Sequence, residues 1–516
     1  MKNRKSKVPQ FSYTTTLEEQ LKELENDPLL KRFRTSRAQL ADDPHRPIYH
    51  YVNPEGNLND PNGFCFWQGR YHLFYQAYPP EDSRQHWGHA YSEDLVHWHD
   101  LPLAIYPDPE DKCFSGATLV EKDRVLACYH GIEEGTMVAI SSDPLLLNWE
   151  KITGKAVIPI VDTDLTGRPY HVFDPCIWRE DDGYYSLSGG YIDGPIFEDC
   201  RMSQFLFHSQ DLKRWIYLGH FIENDIFTDP GEDGAVPYFW PIGDKYILIF
   251  ASHQRGSQYL IGDYDKINHR FRATHHGRFN FGPLRNGGIH APSAFPDGKG
   301  GIYAIHNINQ GKNTDGWNHI MSLVRKLTLN DDGTLRIEPA GEIEKQRGKH
   351  QHITKTILKP NQETLLPVEG NAVELSIKLD PGSARELRIE LLRSENRQEY
   401  TLIRYLKQGG INTSPGNYQG RGDALVIDNA QSSSRSSDVL ARPPETAPFQ
   451  LRENELLDLR IFIDKSVVEL FANQRQAMGL RAYPDREDSV GVSLTAVGGE
   501  ATLQSLDAWE IQSIYS

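Results

Sequence analysis

The stretch GFCFWQGRYHLFYQ, from Gly63 to Gln76, has the form of a β-hairpin: an apolar strand, a polar turn containing glycine, and a second, aromatic strand. The same pattern returns four times along the chain, as ATLVEKDRVLACY, CIWREDDGYYSLSGG, PYFWPIGDKYILIFASH and PSAFPDGKGGIYAIHN. Hairpins that recur roughly every 50 to 60 residues are typical of the blades of a β-propeller. A β-sandwich would instead place seven or more strands within about 100 residues, without such a repeat. The sequence therefore predicts an all-β protein with a five-bladed β-propeller.

A second, shorter repeat supports this prediction. Ser-x-Asp, an apolar stretch and a tryptophan follow one another in SEDLVHW from Ser92, SSDPLLLNW from Ser141 and SQDLKRW from Ser209. An internal repeat of this kind indicates that the chain is assembled from copies of one structural unit.

The two ends of the chain follow different patterns. Residues 14–40 are expected to be helical, since Thr16 and Glu19 have the spacing of a capping box before a short leucine stripe. After Gln351, segments such as AVELSIKLD, ELRIELLRS and LRIFIDKSVVELFAN alternate apolar and polar residues, as the strands of a two-sheet sandwich do. We predict a partly helical extension over residues 1–45, the propeller over 46–347 and a C-terminal β-sandwich over 348–516.

Composition excludes several classes of function. The net charge of −16 argues against nucleic acid or an anionic membrane as a partner. No apolar run approaches the roughly 18 residues of a spanning helix, and the basic N-terminus has no apolar core behind it, as a signal peptide would. The five cysteines lack paired metal-ligand spacing, so we expect reduced core residues of a cytoplasmic protein. No metal or organic cofactor is indicated, and the sequence makes no prediction of oligomeric state.

Carboxylates stand at the starts of three of the five hairpins. Asp60 and Asp174 each precede a proline, and TDPGEDGAVP, which carries Asp229, Glu232 and Asp233, leads into the fourth hairpin. Because a propeller collects the first strands of its blades around a central channel, these side chains are expected to converge. Mutual repulsion should raise the pKa of one carboxyl, giving an ionised nucleophile and a protonated acid that together cleave a glycosidic bond. A cation site or purely structural Asp-Pro turns are the alternatives.

Several segments resemble glycoside hydrolase family 32, the invertase, inulinase and levanase family. They run in the order RPIYHYVNPEGNLNDPNGFCFWQGRYHLFYQ, HWGHAYSEDLVHW, FSGAT, HVFDPCIW, GWNHIMSLVRKLTLNDDGTLRIEPAGEI and LRIFIDKSVVELFAN. The resemblance implies a five-bladed propeller followed by a β-sandwich, acting on β-D-fructofuranosides with retention of configuration. It implies that Asp60 is the nucleophile and that Asp174 grips sugar hydroxyls and stabilises the transition state. It further implies contacts to the fructose ring from Asn59, Gln76, Trp87 and Ser115, with Phe114 as another candidate for the same pocket. A core tryptophan is the alternative for Trp87.

The chain departs from the family pattern at three places. Phe173 replaces the arginine that precedes the second aspartate, and Tyr78 replaces an asparagine. The family's acid lies in Trp-Glu-Cys-Pro, where this chain has GEDGAVPYFWP. Alignment of the prolines puts Ala235 at the acid position, whereas alignment of the glutamates puts Glu232 there. We predict Glu232 as the acid, about 5 to 5.5 Å from Asp60 and with a raised pKa, and Asp233 as the second candidate.

The sequence thus favours a retaining β-fructosidase acting on sucrose, fructo-oligosaccharides or a fructan. A fructosyltransferase, in which an acceptor sugar replaces water, has the same fold and motifs. A carbohydrate-binding protein with a degenerate site is a third hypothesis, since Phe173 and the altered acid motif depart from the family.

Overall fold

Five antiparallel sheets, each with a path of four strands, follow one another from Asn57 to Pro339. The computed structural model describes residues 4–160, 170, 172–192, 201–223, 225–407, 422–434 and 442–515. The first strands of successive sheets contact one another, and the first strand of the fifth sheet contacts that of the first, which closes the ring. The predicted five-bladed propeller is therefore confirmed. Blade I consists of the strands Asn57–Trp67, Arg70–Tyr78, His86–Ser92 and His99–Ile105, and blade II of Cys113–Val120, Val125–Gly131, Gly135–Ser141, Glu150–Lys151 and Ile158–Pro159. Blade III consists of Phe173–Glu180, Gly183–Gly189, Phe205–Ser209 and Ile216–His220, beside the pair Tyr191–Ile192 and Arg201–Met202. Blade IV consists of Ala235–Ile242, Lys245–Ser252, Gly256–Asp265 and Arg270–Arg278, and blade V of Ile289–Pro296, Ile302–Ile308, Ile320–Met321, Arg325–Leu329 and Leu335–Pro339.

The Ser-x-Asp repeat forms the turn after the third strand in blades I to III. In blade I, the Ser92 hydroxyl donates to Asp94, whose carboxylate accepts from the backbone amides of Val96 and His97 at 2.9 and 2.8 Å. Serine-to-aspartate bonds of 3.0 and 3.3 Å recur in blades II and III. Each turn also contains a leucine with positive φ, a conformation that L-residues rarely adopt. The repeat therefore encodes one structured turn, which explains why its polar residues recur.

The sandwich consists of two sheets that enclose their own apolar core. One sheet has the strand order Arg347–Ile353, Ala501–Ile511, Ala372–Asp380, Leu457–Asp464, Val467–Ala472 and Gln476–Arg481, with Thr356–Leu358 also paired to its second strand. The other has the order Glu363–Glu369, Gly491–Val497, Glu386–Arg393, Thr401–Leu406, Ala424–Asp428 and Glu445–Pro448. The predicted all-β fold, a propeller followed by a sandwich, is confirmed. A 3₁₀ turn, Ile343–Gln346, lies between the two domains.

Two helices precede the propeller, Leu17–Asn26 and Pro28–Gln39. The Asp27 carboxylate caps the second helix, since it accepts from the amides of Leu29 and Leu30 at 2.9 Å each. The Thr16 hydroxyl donates to the Glu19 side chain at 2.6 Å and does not cap its own helix. None of the helices in the described ranges is long and apolar enough to cross a membrane.

A cluster of buried charges joins the sandwich to the propeller. The Asp464 carboxylate, at the end of a sandwich strand, accepts from the three successive backbone amides of Ile48–His50, each at 2.8 Å. The His50 ring contacts Asp464 at 2.9 Å and Glu469 at 3.2 Å, and Glu469 also pairs with Arg325 of blade V at 2.7 Å. None of these four side chains is exposed. We call His50, Arg325, Asp464 and Glu469 the interdomain cluster.

The interdomain cluster makes stability depend on pH. Burial alone would lower the pKa of His50, but its hydrogen bonds to Asp464 and Glu469 outweigh this and raise the pKa from 6.5 to about 9. Because the folded pKa lies above the unfolded one, the stabilisation is fully present below pH 6.5 and is lost as the pH rises through about 9. We expect the difference in melting temperature between the wild type and His50→Gln to shrink from pH 6 to pH 10. A constant difference would contradict the assignment of the charge to His50.

Candidate active site

Each inner strand of the propeller carries a β-bulge near its start, at the same end of the central channel. At a bulge, one strand has an extra residue that is not paired with the neighbouring strand. The strand bends there, which changes the direction of a side chain. The residues within the first register shift of each inner strand are Asn59 and Asp60 in blade I, Phe114 and Ser115 in blade II, Asp174 in blade III, Val236 and Pro237 in blade IV, and His290 and Ala291 in blade V. Five of the eight predicted site residues belong to this set, and we call this end of the channel the channel mouth.

The two carboxylate oxygens of Asp60 differ in their hydrogen-bond partners. Oδ2 accepts from Ser115 Oγ at 2.6 Å and from Gln76 Nε2 at 3.2 Å. Oδ1 is buried and has no hydrogen-bond partner among the described residues; His290 Nδ1 lies 3.6 Å from it. The carboxylate is therefore held in place through one oxygen while the other remains available.

The predicted ring-contacting residues divide into exposed and enclosed groups. Asn59 and Phe114 are partly exposed at the channel mouth, and Asn59 donates to Gln76 Oε1 at 3.3 Å. Gln76 and Ser115 are buried and act on Asp60. Trp87 has no exposed surface, and its Nε1 donates to the Phe114 carbonyl at 2.9 Å. The alternative interpretation of Trp87 as a core residue fits this placement better, because an enclosed ring offers no atom to a sugar.

Asp174 has the perturbed pKa that the crowding of carboxylates predicts. Burial and, after it, the negative charge of Asp60 raise its pKa from 3.8 to about 7. The charge of His253 and a hydrogen bond from the backbone of Val236 act in the opposite direction. Asp174 has a φ of +44°, in the left-handed region that residues other than glycine rarely adopt. Bulges at functional sites accommodate such a conformation.

The two candidates for the acid, adjacent in sequence, have separate surroundings. Glu232 is completely buried; its oxygens accept from Gln258 Nε2 at 2.6 Å and from the Asp229 amide at 2.9 Å. Arg255 lies 3.6 Å from the same carboxylate. Asp233 instead bonds His253 Nδ1 at 2.5 Å, and its charge contributes to the raised pKa of Asp174. The role of Glu232 as the acid stays a prediction, and its contacts are those of a structural carboxylate.

Prolines lie at or directly after the bulges of four blades. Pro237 lies in the bulge of blade IV, and Pro61, Pro175 and Pro292 follow the bulged residues of blades I, III and V. Pro237 is thus offset by one residue in strand register from the other three prolines, and the alignment that puts the buried Ala235 at the acid position stays a prediction from the motif.

Sequence analysis missed two histidines at the channel mouth. His290 precedes Ala291 and Pro292, a pattern that matches the two residues before proline in NDP and AVP and could have revealed it. His253 follows the second strand of blade IV without any motif, and its ring centroid lies 5.7 Å from that of His290. In the described part of the chain, no three His, Cys, Asp or Glu side chains are grouped to hold a metal ion.

Comparison with known proteins identifies the family to which this chain belongs. The model of the glycosyl hydrolases family 32 N-terminal domain matches residues 50–339, and that of the family's C-terminal domain matches residues 342–510. The chain belongs to glycosyl hydrolase family 32. Among its relatives, a levanase of Bacillus subtilis is 27% identical over 93% of this chain and 72% of its own length. A sucrose-6-phosphate hydrolase of Escherichia coli is 28% identical over 90% of this chain and 94% of its own.

Solved structures of family 32 proteins share the fold. Fructan 1-exohydrolase IIa from Cichorium intybus superposes with a TM-score of 0.76 at 21% identity, covering 91% of this chain and 98% of that one. Sucrose-6-phosphate hydrolase from Lactobacillus gasseri gives a TM-score of 0.73 at 24% identity, covering 94% and 96%. Together with the family membership, this makes the chain a glycoside hydrolase of the β-fructofuranosidase type.

Proposed function

We propose that this family 32 protein hydrolyses β-D-fructofuranosidic bonds with retention of configuration, through a covalent fructosyl ester of Asp60. The state of the Asp60 carboxylate carries this proposal: Ser115 and Gln76 hold Oδ2, and Oδ1 has no hydrogen-bond partner among the described residues. A nucleophilic oxygen has to be oriented without being blocked, and Oδ1 meets both conditions. Attack of Oδ1 on C2 of fructose forms the ester, and water later hydrolyses it.

Asp174 is the residue that we assign to the sugar ring. In the free protein its pKa is raised to about 7 by burial and by Asp60, so a large fraction is protonated at neutral pH. Hydroxyl groups of a bound fructose donate to the carboxylate and favour its charged form, which lowers the pKa again. The ionised carboxylate then stabilises the positive charge that develops on the ring in the oxocarbenium-like transition state.

The charges at the channel mouth favour an uncharged fructoside, such as sucrose, a fructo-oligosaccharide or a fructan, over a phosphorylated one. Three carboxyl groups and one imidazolium influence one another there: Asp60, Asp174, Asp233 and His253. The nearby guanidinium groups of Arg255 and Arg278 are engaged by Asp229, at 3.2 and 3.4 Å. Each of these two guanidinium groups thus already has a carboxylate partner, which disfavours the binding of a phosphate by them.

Incubation with sucrose, inulin, levan and sucrose 6-phosphate tests the proposal. We expect free fructose from at least one neutral substrate, with the β-anomer formed first in a ¹H NMR time course, and a higher kcat/KM for sucrose than for its 6-phosphate. Larger oligosaccharides in place of fructose would identify a fructosyltransferase. Binding without release or transfer would identify a carbohydrate-binding protein, and an α-anomer formed first would contradict retention.

A further inference from the structure

We propose that the imidazolium of His253, held by Asp233, donates the proton to the leaving sugar oxygen, in place of a carboxylic acid on the inner strand of blade IV. The proposal rests on the proposed function, since it names the acid and base of the same site. Two observations motivate it: alignment of the motif prolines puts Ala235 at the position of the family's acid, and both oxygens of Glu232 are engaged elsewhere.

The geometry gives His253 the features of a proton donor. Asp233 Oδ2 binds Nδ1 at 2.5 Å, which orients the ring and leaves Nε2 as the nitrogen that Asp233 does not engage. The side chain is 61% exposed, so a ligand in the channel mouth has access to it. The ring also makes an edge contact with His290, with centroids 5.7 Å apart, and His290 in turn lies 3.6 Å from Asp60 Oδ1. Only the ring of His290 therefore lies between His253 and the nucleophilic oxygen in this chain of contacts.

The groups that face His253 keep it charged. They come from blades I, III, IV and V: Asp60, Asp174, Asp233 and His290. The hydrogen bond to Asp233 outweighs burial, and the charges of Asp233, Asp174 and Asp60 add to it, so that the pKa of His253 rises to about 9. The pKa of His290, in contrast, is lowered by burial, and this ring is neutral. Only one of the two imidazoles is thus a proton donor near neutral pH.

Each half of the reaction balances with water as the only co-reactant. In the first half, Asp60 Oδ1 bonds to C2 while the bond between C2 and the leaving oxygen breaks, and this oxygen takes the proton from His253 Nε2. In the second half, neutral Nε2 takes a proton from water, whose oxygen bonds to C2 as the ester bond to Asp60 breaks. Formation of the ester removes the charge of Asp60, one cause of the raised pKa of His253. The pKa of His253 therefore falls after the ester has formed, so that Nε2 is more readily held in the neutral form that can accept a proton from water.

The dependence on the leaving group tests this proposal. We expect His253→Gln to lower kcat/KM for sucrose about 100- to 10,000-fold, because the sugar alcohol needs a proton to leave. For p-nitrophenyl β-D-fructofuranoside, whose phenolate leaves unprotonated, we expect a loss of less than about tenfold. His275→Gln, the same substitution at an exposed histidine of the same blade, serves as the control and should leave both rates unchanged.

The role of Asp233 as a positioning residue has its own readout. Asp233→Asn removes the largest cause of the raised pKa of His253, so the alkaline limb of kcat/KM for sucrose should move to lower pH. If Glu232→Gln or Asp233→Asn gives the leaving-group pattern and His253→Gln does not, the proton comes from that carboxyl and the proposal is overturned. Equal losses on both substrates in His253→Gln would overturn it as well. These comparisons require turnover by the wild type, so a failure of the proposed function would be recognised first, by the absence of fructose release.

Discussion

Asp60→Ala is expected to lower kcat for fructoside hydrolysis by about 10,000-fold or more, because the variant has no oxygen with which to form the fructosyl ester. Loss of the Asp60 charge should also lower the pKa of Asp174, since that charge is the second cause, after burial, of its raised value. Initial rates on sucrose and p-nitrophenyl β-D-fructofuranoside measure the first effect, and carbon-detected NMR titration of the Asp174 carboxyl measures the second. Both substrates should be affected alike, unlike in His253→Gln, because the nucleophile is needed whatever group leaves.

The control for this variant is Asp244→Ala, at an exposed position in the hairpin turn of blade IV. It should leave kcat unchanged within about twofold, as surface substitutions usually do. The substitution removes the unpartnered Oδ1 but also the acceptor of Ser115 and Gln76, so the melting temperature of Asp60→Ala is measured beside the rates to show that the variant is folded. A folded Asp60→Ala protein that retains a tenth of the wild-type rate would contradict the assignment of the nucleophile.

Local sequence was sufficient for the propeller and for two of its carboxylates. The hairpins and the Ser-x-Asp turns depend on neighbouring residues, and each blade repeats them. Asp60 and Asp174 could be found because each lies directly before the proline that follows a bulge, and the ring of blades brings equivalent positions to one place. The prediction therefore needed only the repeat and its topology.

In the fourth blade, local sequence is not sufficient to predict the site. Glu232 and Asp233 are adjacent in a segment without regular structure, and Gly234, with a φ of +57°, follows them. The surroundings of each carboxylate are determined by partners that are distant in sequence, Gln258 for Glu232 and His253 for Asp233. No pattern along the chain encodes which neighbour binds which carboxylate. For the same reason His253, which lies in no motif, could be identified only from the structure.

The bulges near the starts of the inner strands let each blade contribute a different group to the site. Strand pairing continues beyond each bulge, so the channel mouth is built on a rigid scaffold while the bulged residues project from it. Blade I supplies the proposed nucleophile, blade II a hydroxyl that donates to it, and blade III the carboxyl with the raised pKa. Blade IV offers only Val236 and Pro237 in its bulge, so the chemistry of this blade has to come from the flanking segments that carry Asp233 and His253. The altered acid motif thus belongs to blade IV, whereas Tyr78 in blade I and Phe173 in blade III are the other departures from the family pattern.

Asp464→Ala is expected to have the largest effect on stability, lowering the free energy of unfolding by about 3 to 5 kcal/mol. The substitution leaves three backbone amides, those of Ile48–His50, without their acceptor, two of them buried, and it removes one of the two carboxylates that neutralise His50. These amides belong to the segment that leads into the first strand of blade I, so the loss loosens the contact between the sandwich and the propeller. Urea unfolding, followed by tryptophan fluorescence, measures the change.

Asp458→Ala on the same sandwich strand, Leu457–Asp464, is the matched control. The Asp458 side chain is 49% exposed and lies 3.9 Å from Lys378, so its removal should change the free energy of unfolding by no more than about 0.5 kcal/mol. Asp464→Asn should have an intermediate effect, because its carbonyl oxygen still accepts from the backbone amides, whereas the negative charge next to His50 is gone. If Asp464→Ala were as mild as Asp458→Ala, the interdomain cluster would not hold the two domains together. The ordering Asp458→Ala, Asp464→Asn, Asp464→Ala, from smallest to largest loss, is the result that assigns separate contributions to the hydrogen bonds and to the charge.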